Sequence, residues 1–486
     1  MQLTESKARS VWQFFSKICS IPHPSDHEQQ IIQWLIDYAE GKKLTCNKDK
    51  AGNVIIKVPA TAGCEKWPTV ILQGHVDMVC EKTPQSNHDF MKDPIRMVEQ
   101  DGWIYGDQTT LGADNGIGCA MALAMTKADD KLVHGPLELL FTVSEETGLN
   151  GADGLDATLL SGKYLINIDS EDDSEFVIGC AGGQQTAIEL DLCCTAANSG
   201  WQSYLMTVSG CSGGHSGVNI HCQRANAIHI LSKTLAKLQQ HDIALTSIKG
   251  GSAHNAIPRD AEALLCFSPA VLPEVQQTIK QCETLLKGQY AKTDANLSLK
   301  IEAVPQKTSR IMDPNSFAAT VNLLNALPHG VFRYNQEIHG LPEASNNLAT
   351  LATDMENCKL KVSTSQRSSL EASLDELTDK IVAAATLVGA KWTNNTRYAA
   401  WQPDFESKLV SKAKGLYHSI HTVEPHILII HAGLECGVIG KKMPGLEMLS
   451  MGPNIENPHS PQERVNIASV DRSWQFLKLL LSELKE

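Results

Sequence analysis

No segment of the sequence approaches the ~18 consecutive apolar residues that a membrane-spanning helix needs, although 42% of its 486 residues are hydrophobic. Residues 1–10 are polar and lack the apolar core of a signal peptide. The chain also lacks a basic excess, since its formal net charge is −13 and its pI is about 5.7. Such a charge disfavours nucleic acid or an anionic membrane surface as a partner. We therefore expect a cytoplasmic protein with neither partner.

The 14 cysteines are scattered and include no Cys-x-x-Cys pair. Several of them, such as Cys19, Cys119 and Cys266, lie in apolar patterns typical of buried strands or helices. This usage indicates free thiols in a reducing compartment, and it argues against a disulfide framework or a cysteine–zinc site. The length of the chain predicts two or three domains.

Short apolar runs alternate with helical patterns in the first part of the chain. Residues 70–72, 137–143 and 164–168 are predicted strands, and residues 117–125 form a helix of small apolar residues. The alternation predicts an α/β fold with a doubly wound, mostly parallel sheet.

Imidazole and carboxylate side chains follow these predicted strands directly. They are His75 and Asp77 after the first strand, Glu145 and Glu146 after the second and Asp169 after the third, with Asp114 ahead of the small-residue helix and His459 in a proline-bracketed loop near the end. In open α/β sheets, ligands bind outside the carboxyl ends of the strands. The sequence therefore predicts a binding site at this edge of the sheet.

Each of these motifs also has an ordinary structural interpretation. Asp114 could be a plain helix N-cap, the adjacent Glu145 and Glu146 could occupy a solvated turn, and short His-x-Asp matches are common by chance. Ligand-type side chains recur at one edge of the predicted sheet. This recurrence favours a metal site over a separate structural explanation for each motif.

The chemistry of this set suits a pair of divalent metal ions, zinc first, with cobalt and manganese also compatible. Asp114 would be shared between the ions, His75 and Asp169 would complete one site, and Glu146 and His459 would complete the other. Asp77 is expected to accept the imidazole N–H of His75 and so to orient the ring. A hydroxide bridging the ions would be the nucleophile, and Glu145 would be the general base that passes its proton to the leaving amine.

A second type of domain is predicted after residue 186. The pattern changes to β-α-β-β-α-β, a two-layer α+β unit, and a second, weaker copy is predicted to follow it. From residue 398 the chain is expected to rejoin the first domain. The predicted domains are residues 1–186 with 398–486, and an inserted domain of residues 187–397.

Seven motifs stand in one order along the chain: V-I-L-Q-G-H-V-D, T-L-G-A-D-N-G, S-E-E-T-G, I-D-S-E, G-G-H-S-G, H-N-A-I-P-R and G-P-N-I-E-N-P-H-S-P. In this order they resemble the aminoacylase and carboxypeptidase-G-like di-zinc peptidases over essentially the whole chain. The resemblance implies a dinuclear zinc site with the ligand roles above, and an inserted domain that acts as a lid or in dimerisation. It also implies hydrolysis of dipeptides whose second residue is histidine, such as beta-alanyl-histidine.

The resemblance further implies roles for residues outside the metal cluster. His215 looks like the lid histidine that reaches the scissile carbonyl oxygen, and Asn255 looks like a polar contact to substrate. Arg367 looks like the arginine that binds the substrate carboxylate. Backbone N–H groups near Gly433 could meet the carboxylate, and Glu435 could meet the free amine. A satisfied loop histidine at 215 and a solvated arginine at 367 remain open alternatives.

Other functions are compatible with the same motifs. A broader aminoacylase, a tripeptidase or a carboxypeptidase could use the same metal site. An inactive metal-binding scaffold is a rival of another class, and the presence of Glu145 beside every predicted ligand speaks against it. The enlarged insert leaves both a homodimer and a monomer open.

Overall fold

The computed structural model describes residues 6–127, 132–305, 308–336 and 338–485. The chain divides into two compact units. The first unit comprises Met1–Cys180, Trp401–Ile429 and Leu434–Glu486, and the second comprises Ala181–Ala400 and Ile430–Gly433. A role of the second unit as a lid or dimerisation domain stays a prediction. No helix within the described ranges is long and apolar enough to cross a membrane.

The helices and strands of both units are numbered in chain order. The helices are α1 (Arg9–Cys19), α2 (Gln29–Gly41), α3 (Ala113–Ala124), α4 (Asn150–Gly154), α5 (Ala227–Leu238), α6 (Leu272–Gln289), α7 (Pro314–Ala326), α8 (Glu371–Leu387), α9 (Lys408–His421), α10 (Glu435–Lys442) and α11 (Ile467–Glu483). The strands are β1 (Thr45–Lys48), β2 (Val54–Val58), β3 (Val70–His75), β4 (Met97–Gln100), β5 (Trp103–Gly106), β6 (Leu137–Thr142), β7 (Tyr164–Asn167), β8 (Glu175–Cys180), β9 (Gly182–Asp191), β10 (Cys194–Ala196), β11 (Gln202–Ser209), β12 (Ile243–Gly250), β13 (Ala261–Phe267), β14 (Ser298–Ala303), β15 (Arg310–Met312), β16 (Gly330–Tyr334), β17 (Pro342–Asp354), β18 (Lys359–Ser368), β19 (Lys391–Tyr398), β20 (His426–Ile430), β21 (Glu447–Ser450), β22 (Ile455–Glu456) and β23 (Arg464–Asn466).

The first unit is built on a sheet with the strand order β1-β2-β6-β3-β7-β21-β8-β20. Strand β3 pairs in parallel with both β6 and β7, and β21 pairs in parallel with β7. The pairs β1–β2, β2–β6 and β21–β8 are antiparallel. The predicted α/β class is therefore confirmed, and the sheet is mixed: the strands β6-β3-β7-β21 are parallel, whereas antiparallel pairs flank them. The β1–β2 pair is antiparallel because a short turn joins the two strands, and strands joined so closely cannot pair in parallel.

Helix α3 packs on this sheet and is buried on all sides. Every residue in it is buried except Asp114, as expected of a helix enclosed within a core. Its glycines allow the close approach. A Cβ atom at Gly118 would lie 2.1 Å from the carbonyl oxygen of Ile168, and one at Gly74 of β3 would lie 2.2 Å from Oδ1 of Asn115. Small residues at these positions therefore set how closely the helix and sheet approach.

The second unit contains the β-α-β-β-α-β pattern twice. The first copy is β11-α5-β12-β13-α6-β14, and the second is β9-α7-β17-β18-α8-β19. Their strands form one sheet in the order β14-β11-β13-β12-β17-β18-β9-β19. The strand order of the first copy, β14-β11-β13-β12, mirrors that of the second copy, β17-β18-β9-β19. The two copies meet where β12 pairs with β17, through Lys249 with Ala352 and Gly250 with Leu351. The structure thus contains the second copy that the sequence predicts, and its first strand, β9, precedes the whole first copy in the chain.

We predict opposite effects of the same substitution at two helical glycines. Gly118→Ala should lower the free energy of unfolding by ~1–3 kcal/mol, because its new methyl group would overlap a backbone carbonyl. Gly415→Ala in α9 should raise it by ~0.5–1 kcal/mol, because that position is exposed with no atom within 4 Å of the new Cβ. Urea denaturation followed by circular dichroism measures both. Equal effects at the two positions would contradict the packing described for α3.

Candidate active site

The parallel pairing in the first unit brings the predicted ligands to one edge of the sheet. Strand β3 ends at His75 and lies between β6 and β7. Glu145 and Glu146 follow the carboxyl end of β6, and Asp169 follows that of β7. Asp114 stands at the start of α3, which packs against β3. The arrangement is the one expected for a site outside the carboxyl ends of parallel strands.

The two carboxylate oxygens of Asp114 face different imidazole rings. Oδ1 lies 3.1 Å from Nε2 of His75, and Oδ2 lies 3.1 Å from Nε2 of His459. Nε2 of His75 also lies 3.6 Å from Oδ1 of Asp169, and Nε2 of His459 lies 2.9 Å from Oε1 of Glu146. The structure therefore brings together all five residues predicted as metal ligands, with Asp114 in the middle.

These separations fit a metal site. Tetrahedral ligands at ~2.0 Å from a zinc ion lie ~3.3 Å from one another, and the nitrogen–oxygen distances here are 2.9–3.6 Å. His75, Asp114 and Glu146 each offer a ligand atom within 4.8 Å of the other two. Oε1 of Glu146 is buried and makes no hydrogen bond of good geometry. These residues could hold divalent metal ions that prefer nitrogen and oxygen ligands.

The electrostatics of the cluster also favour a bound cation. Burial raises the pKa of Asp169 to about 6, with the charges of Asp114 and Glu146 adding to the effect and His75 opposing it. Burial likewise raises the pKa of Glu145 well above its usual value, opposed by His75 and reinforced by Asp169. The neighbouring carboxylates of Asp114 and Glu146 raise the pKa of His459 to about 11, opposed by burial. Crowded carboxylates of this kind are stabilised by a positive charge between them.

Asp77 holds the loop that carries the two glutamates. Its carboxylate accepts hydrogen bonds from the N–H groups of Glu145 at 3.0 Å and Glu146 at 3.2 Å, and from the Ser25 hydroxyl at 2.8 Å. Nδ1 of His75 lies 3.4 Å from Oδ1 of Asp77, and 3.1 Å from the backbone oxygen of Asp77. The carboxylate thus lies beside the imidazole, as the sequence predicts, but its shorter contacts are to the glutamate loop.

Two further buried carboxylates hold loops of the site, and sequence reasoning missed both. Oε1 of Glu28 accepts hydrogen bonds from the Ser144 N–H at 2.9 Å and hydroxyl at 3.1 Å. Glu463 accepts hydrogen bonds from four consecutive N–H groups of residues 111–114. Neither acid has a diagnostic spacing, although Glu463 follows the motif that contains His459 by only a few residues.

Glu435 lies in the first unit and is 1% exposed. Its Oε2 accepts hydrogen bonds from Gln73 at 2.6 Å and Thr142 at 2.7 Å, whereas its buried Oε1 has no hydrogen-bond partner. Burial raises its pKa to about 7, with His75 and the Thr142 hydrogen bond opposing that rise and Asp169 adding to it. One oxygen of this carboxylate therefore remains able to accept a hydrogen bond.

In the second unit, His215 is held as a neutral donor. Its Nδ1 accepts hydrogen bonds from the N–H groups of Gly217 at 3.3 Å and Val218 at 3.1 Å, so the ring proton of the neutral form is on Nε2. Burial, with the nearby charges of Arg367 and His254, lowers its pKa to about 4. His215 is therefore uncharged near neutral pH and presents an Nε2–H group.

The loop that contains Asn255 lies against the His215 loop. The backbone oxygen of Asn255 accepts a hydrogen bond from the N–H of Ser216 at 2.8 Å, and His215 forms an isolated bridge with Ala256. The side chain of Asn255 is on an exposed residue. The two motifs, G-G-H-S-G and H-N-A-I-P-R, thus meet in one region of the second unit.

Arg367 is 7% exposed, so its interpretation as a solvated arginine is wrong. Nη1 donates to the Tyr398 hydroxyl at 2.8 Å, and Nε is buried without a partner. In the described part of the chain no carboxylate pairs with this guanidinium. Ser345 lies opposite Arg367 in the β17–β18 ladder and is 2.7 Å from Nε2 of His431, a histidine that sequence reasoning did not select. Gly433 lies two residues further, ahead of α10.

Imidazoles and carboxylates grouped around one aspartate, at the carboxyl ends of parallel strands, form the kind of site found in metal-dependent hydrolases. Residues 71–483 match the peptidase family M20/M25/M40. The chain belongs to this family and is a peptidase. The predicted resemblance to the di-zinc peptidases and the prediction of a hydrolase acting on peptide bonds are both confirmed.

Individual relatives match the chain over nearly its whole length. It is 38% identical over 484 residues to the cytosol non-specific dipeptidase of Escherichia coli (strain K12), covering 99% of each chain. The crystal structure of aminoacylhistidine dipeptidase from Vibrio alginolyticus matches with a TM-score of 0.90 and 36% identity, covering 99% of this chain and 98% of that one. A Staphylococcus aureus tripeptidase structure shares the fold, with a TM-score of 0.56 and 17% identity over 99% of both chains.

We predict that Glu145→Gln stabilises the metal-free protein. Because the folded-state pKa of Glu145 is raised, the folded state loses stability as pH rises above the ordinary glutamate pKa of ~4.3. The substitution removes this loss, so the thermal midpoint at pH 8 in a chelator should rise by ~2 °C or more, and by less at pH 5.5. Glu40→Gln, at an exposed position on α2, is the control and should change little. A lower midpoint for Glu145→Gln would contradict the crowding of carboxylates.

Proposed function

We propose that the protein is a dipeptidase that depends on two divalent metal ions. The observation that carries this proposal is the position of Asp114, whose two oxygens each lie 3.1 Å from Nε2 of a different histidine. A carboxylate placed in this way can serve two ions at once. The identities of 38% and 36% to two dipeptidases over nearly full length support the same activity.

The proposed ligands divide into two sets that share Asp114. His75 and Asp169 belong to one set, and Glu146 and His459 belong to the other. Zinc suits these ligands best, and cobalt and manganese are also compatible. Bound divalent metal supplies Lewis acidity, which polarises a peptide carbonyl and makes water nucleophilic near neutral pH.

The chain's own residues would move the protons and stabilise the developing charge. Glu145 would accept a proton from the attacking water and pass it to the leaving amine, and its raised pKa brings it closer to the operating pH of a general base. Asp77 would keep Glu145 in place through the backbone hydrogen bond at 3.0 Å. His215 would donate its Nε2–H to the carbonyl oxygen as negative charge develops there.

Groups that suit both charged ends of a dipeptide are present. Arg367, buried and without a carboxylate partner among the described residues, would bind the substrate carboxylate. The unpaired Oε1 of Glu435 would accept a hydrogen bond from the free amine. Asn255 and the backbone at Gly433 would add polar contacts. Recognition of both ends favours a dipeptide over acylated or longer substrates.

For specificity, we propose a preference for histidine as the second residue, as in beta-alanyl-histidine. The relative from Vibrio alginolyticus is named an aminoacylhistidine dipeptidase, whereas the one from Escherichia coli is named non-specific. A broader aminoacylase, tripeptidase or carboxypeptidase activity is the alternative. We further propose a cytoplasmic location, no nucleic-acid or membrane partner, and a homodimer.

The test is turnover of a substrate panel before and after chelation, with metal content measured on the same samples. We expect about two zinc ions per chain, activity lost on chelation and restored by zinc, and faster hydrolysis of alanyl-histidine than of N-acetylated or tripeptide analogues. Glu145→Gln should retain its zinc while turnover falls ~10²–10⁴-fold. Turnover only of acylated or longer substrates would overturn the dipeptidase assignment, and activity without metal would overturn the mechanism.

We predict that Arg367→Ala weakens substrate binding through the substrate carboxylate. KM for a dipeptide should rise ~10–100-fold, because a charged hydrogen-bond pair of this kind contributes ~1.5–3 kcal/mol. The rise should be absent for a C-terminally amidated dipeptide. Arg397→Ala is the matched control in the same unit, because that guanidinium is already paired with Glu371 and Asp375. An equal rise in KM for the free and amidated substrates would exclude the proposed role of Arg367.

A further inference from the structure

Glu463 lies against the segment that carries Asp114. Its side chain is buried, and the residue is 2% exposed. Oε2 accepts hydrogen bonds from the N–H groups of Leu111 at 2.7 Å and Gly112 at 3.0 Å. Oε1 accepts hydrogen bonds from those of Ala113 at 2.7 Å and Asp114 at 3.2 Å. Gly112, with φ of 71°, turns the chain at this point.

The hydrogen bonds to Glu463 satisfy backbone donors at the start of helix α3. The first N–H groups of a helix have no partner within it; here Ala113 and Asp114 carry two such groups, and the N–H groups of Leu111 and Gly112 lie just ahead of α3. One carboxylate satisfies four consecutive donors at once. Any displacement of this segment would move Asp114, whose oxygens lie 3.1 Å from both imidazoles.

We infer that Glu463 is a positioning residue, which sets the metal affinity of the site by fixing the backbone that carries Asp114. Its two oxygens are occupied by backbone donors, so it acts through Asp114 and not as a ligand. The inference rests on the proposed function for the nature of the ions. Outer-shell partners of metal ligands typically change affinity by ~10–100-fold when they are removed.

Three variants test this inference. Glu463→Gln preserves size but turns an NH₂ group toward backbone donors. Glu463→Asp preserves the charge but is one methylene shorter, so it cannot reach all four N–H groups. Glu138→Gln is the matched control, since Glu138 is also 2% exposed and accepts the N–H groups of Ser161 at 2.8 Å and Gly162 at 3.1 Å. It lies within β6, away from the ligands that follow that strand.

The measurements are zinc affinity, by competition with a chromophoric chelator, and thermal unfolding of each metal-free protein. We expect Glu463→Gln and Glu463→Asp both to bind zinc ~10–100-fold more weakly than the parent, while Glu138→Gln keeps the parental affinity. Relative to the metal-free parent, the thermal unfolding midpoint of each metal-free Glu463 variant should fall by no more than that of Glu138→Gln.

Several results would overturn the inference. The first is a zinc affinity of Glu463→Gln equal to that of the parent. The second is parental zinc affinity in Glu463→Asp, which would assign the effect to charge alone. The third is a zinc affinity of Glu138→Gln that is weakened as much as that of the Glu463 variants. If Glu463→Gln does not fold without metal, the zinc affinity of Glu463→Asp tests the inference. If neither variant folds, Glu463 is a purely structural residue and the inference is wrong. A parent that binds zinc but cleaves no dipeptide would refute the proposed function and leave this comparison intact.

Discussion

The candidate active site in the first unit is governed by the crowding of carboxylates at the carboxyl ends of its central strands. Glu145 and Glu146 follow β6, Asp169 follows β7 on the other side of β3, and Asp114 reaches the same point from α3. Burial is the main cause of the raised pKa of Asp169, and the like charges of Asp114 and Glu146 add to it, because each disfavours the ionised form of the other carboxylates. A cation between the carboxylates would stabilise their ionised forms. The crowding that lowers the stability of the metal-free protein would therefore favour metal binding.

The structure keeps these charged side chains in place mainly through backbone hydrogen bonds. Asp77, Glu28 and Glu463 each accept N–H groups of a loop that carries a proposed ligand or the proposed base. The site thus has two sets of acids: one set contributes oxygens to the cluster, and the other accepts backbone N–H groups of the loops around it. A buried carboxylate that accepts several N–H groups is satisfied, so this second set stabilises the loops without adding ligands.

The sequence predicted most of the cluster, because its members follow apolar strands and two of them are histidines. It also predicted the repeated β-α-β-β-α-β pattern, since strand and helix periodicities differ clearly. It did not predict Glu28 and Glu463, because their partners are backbone N–H groups, which every sequence contains. For Glu463 those partners are about 350 residues away in the chain. The start of the second copy at β9 was missed for a related reason, since the whole first copy separates β9 from α7.

Anomalous diffraction at the zinc edge from zinc-loaded crystals would show whether Asp114 lies between two metal ions. We expect two anomalous peaks, one next to each oxygen of Asp114, the first beside His75 and Asp169 and the second beside Glu146 and His459. A single peak, or two peaks away from Asp114, would contradict this expectation.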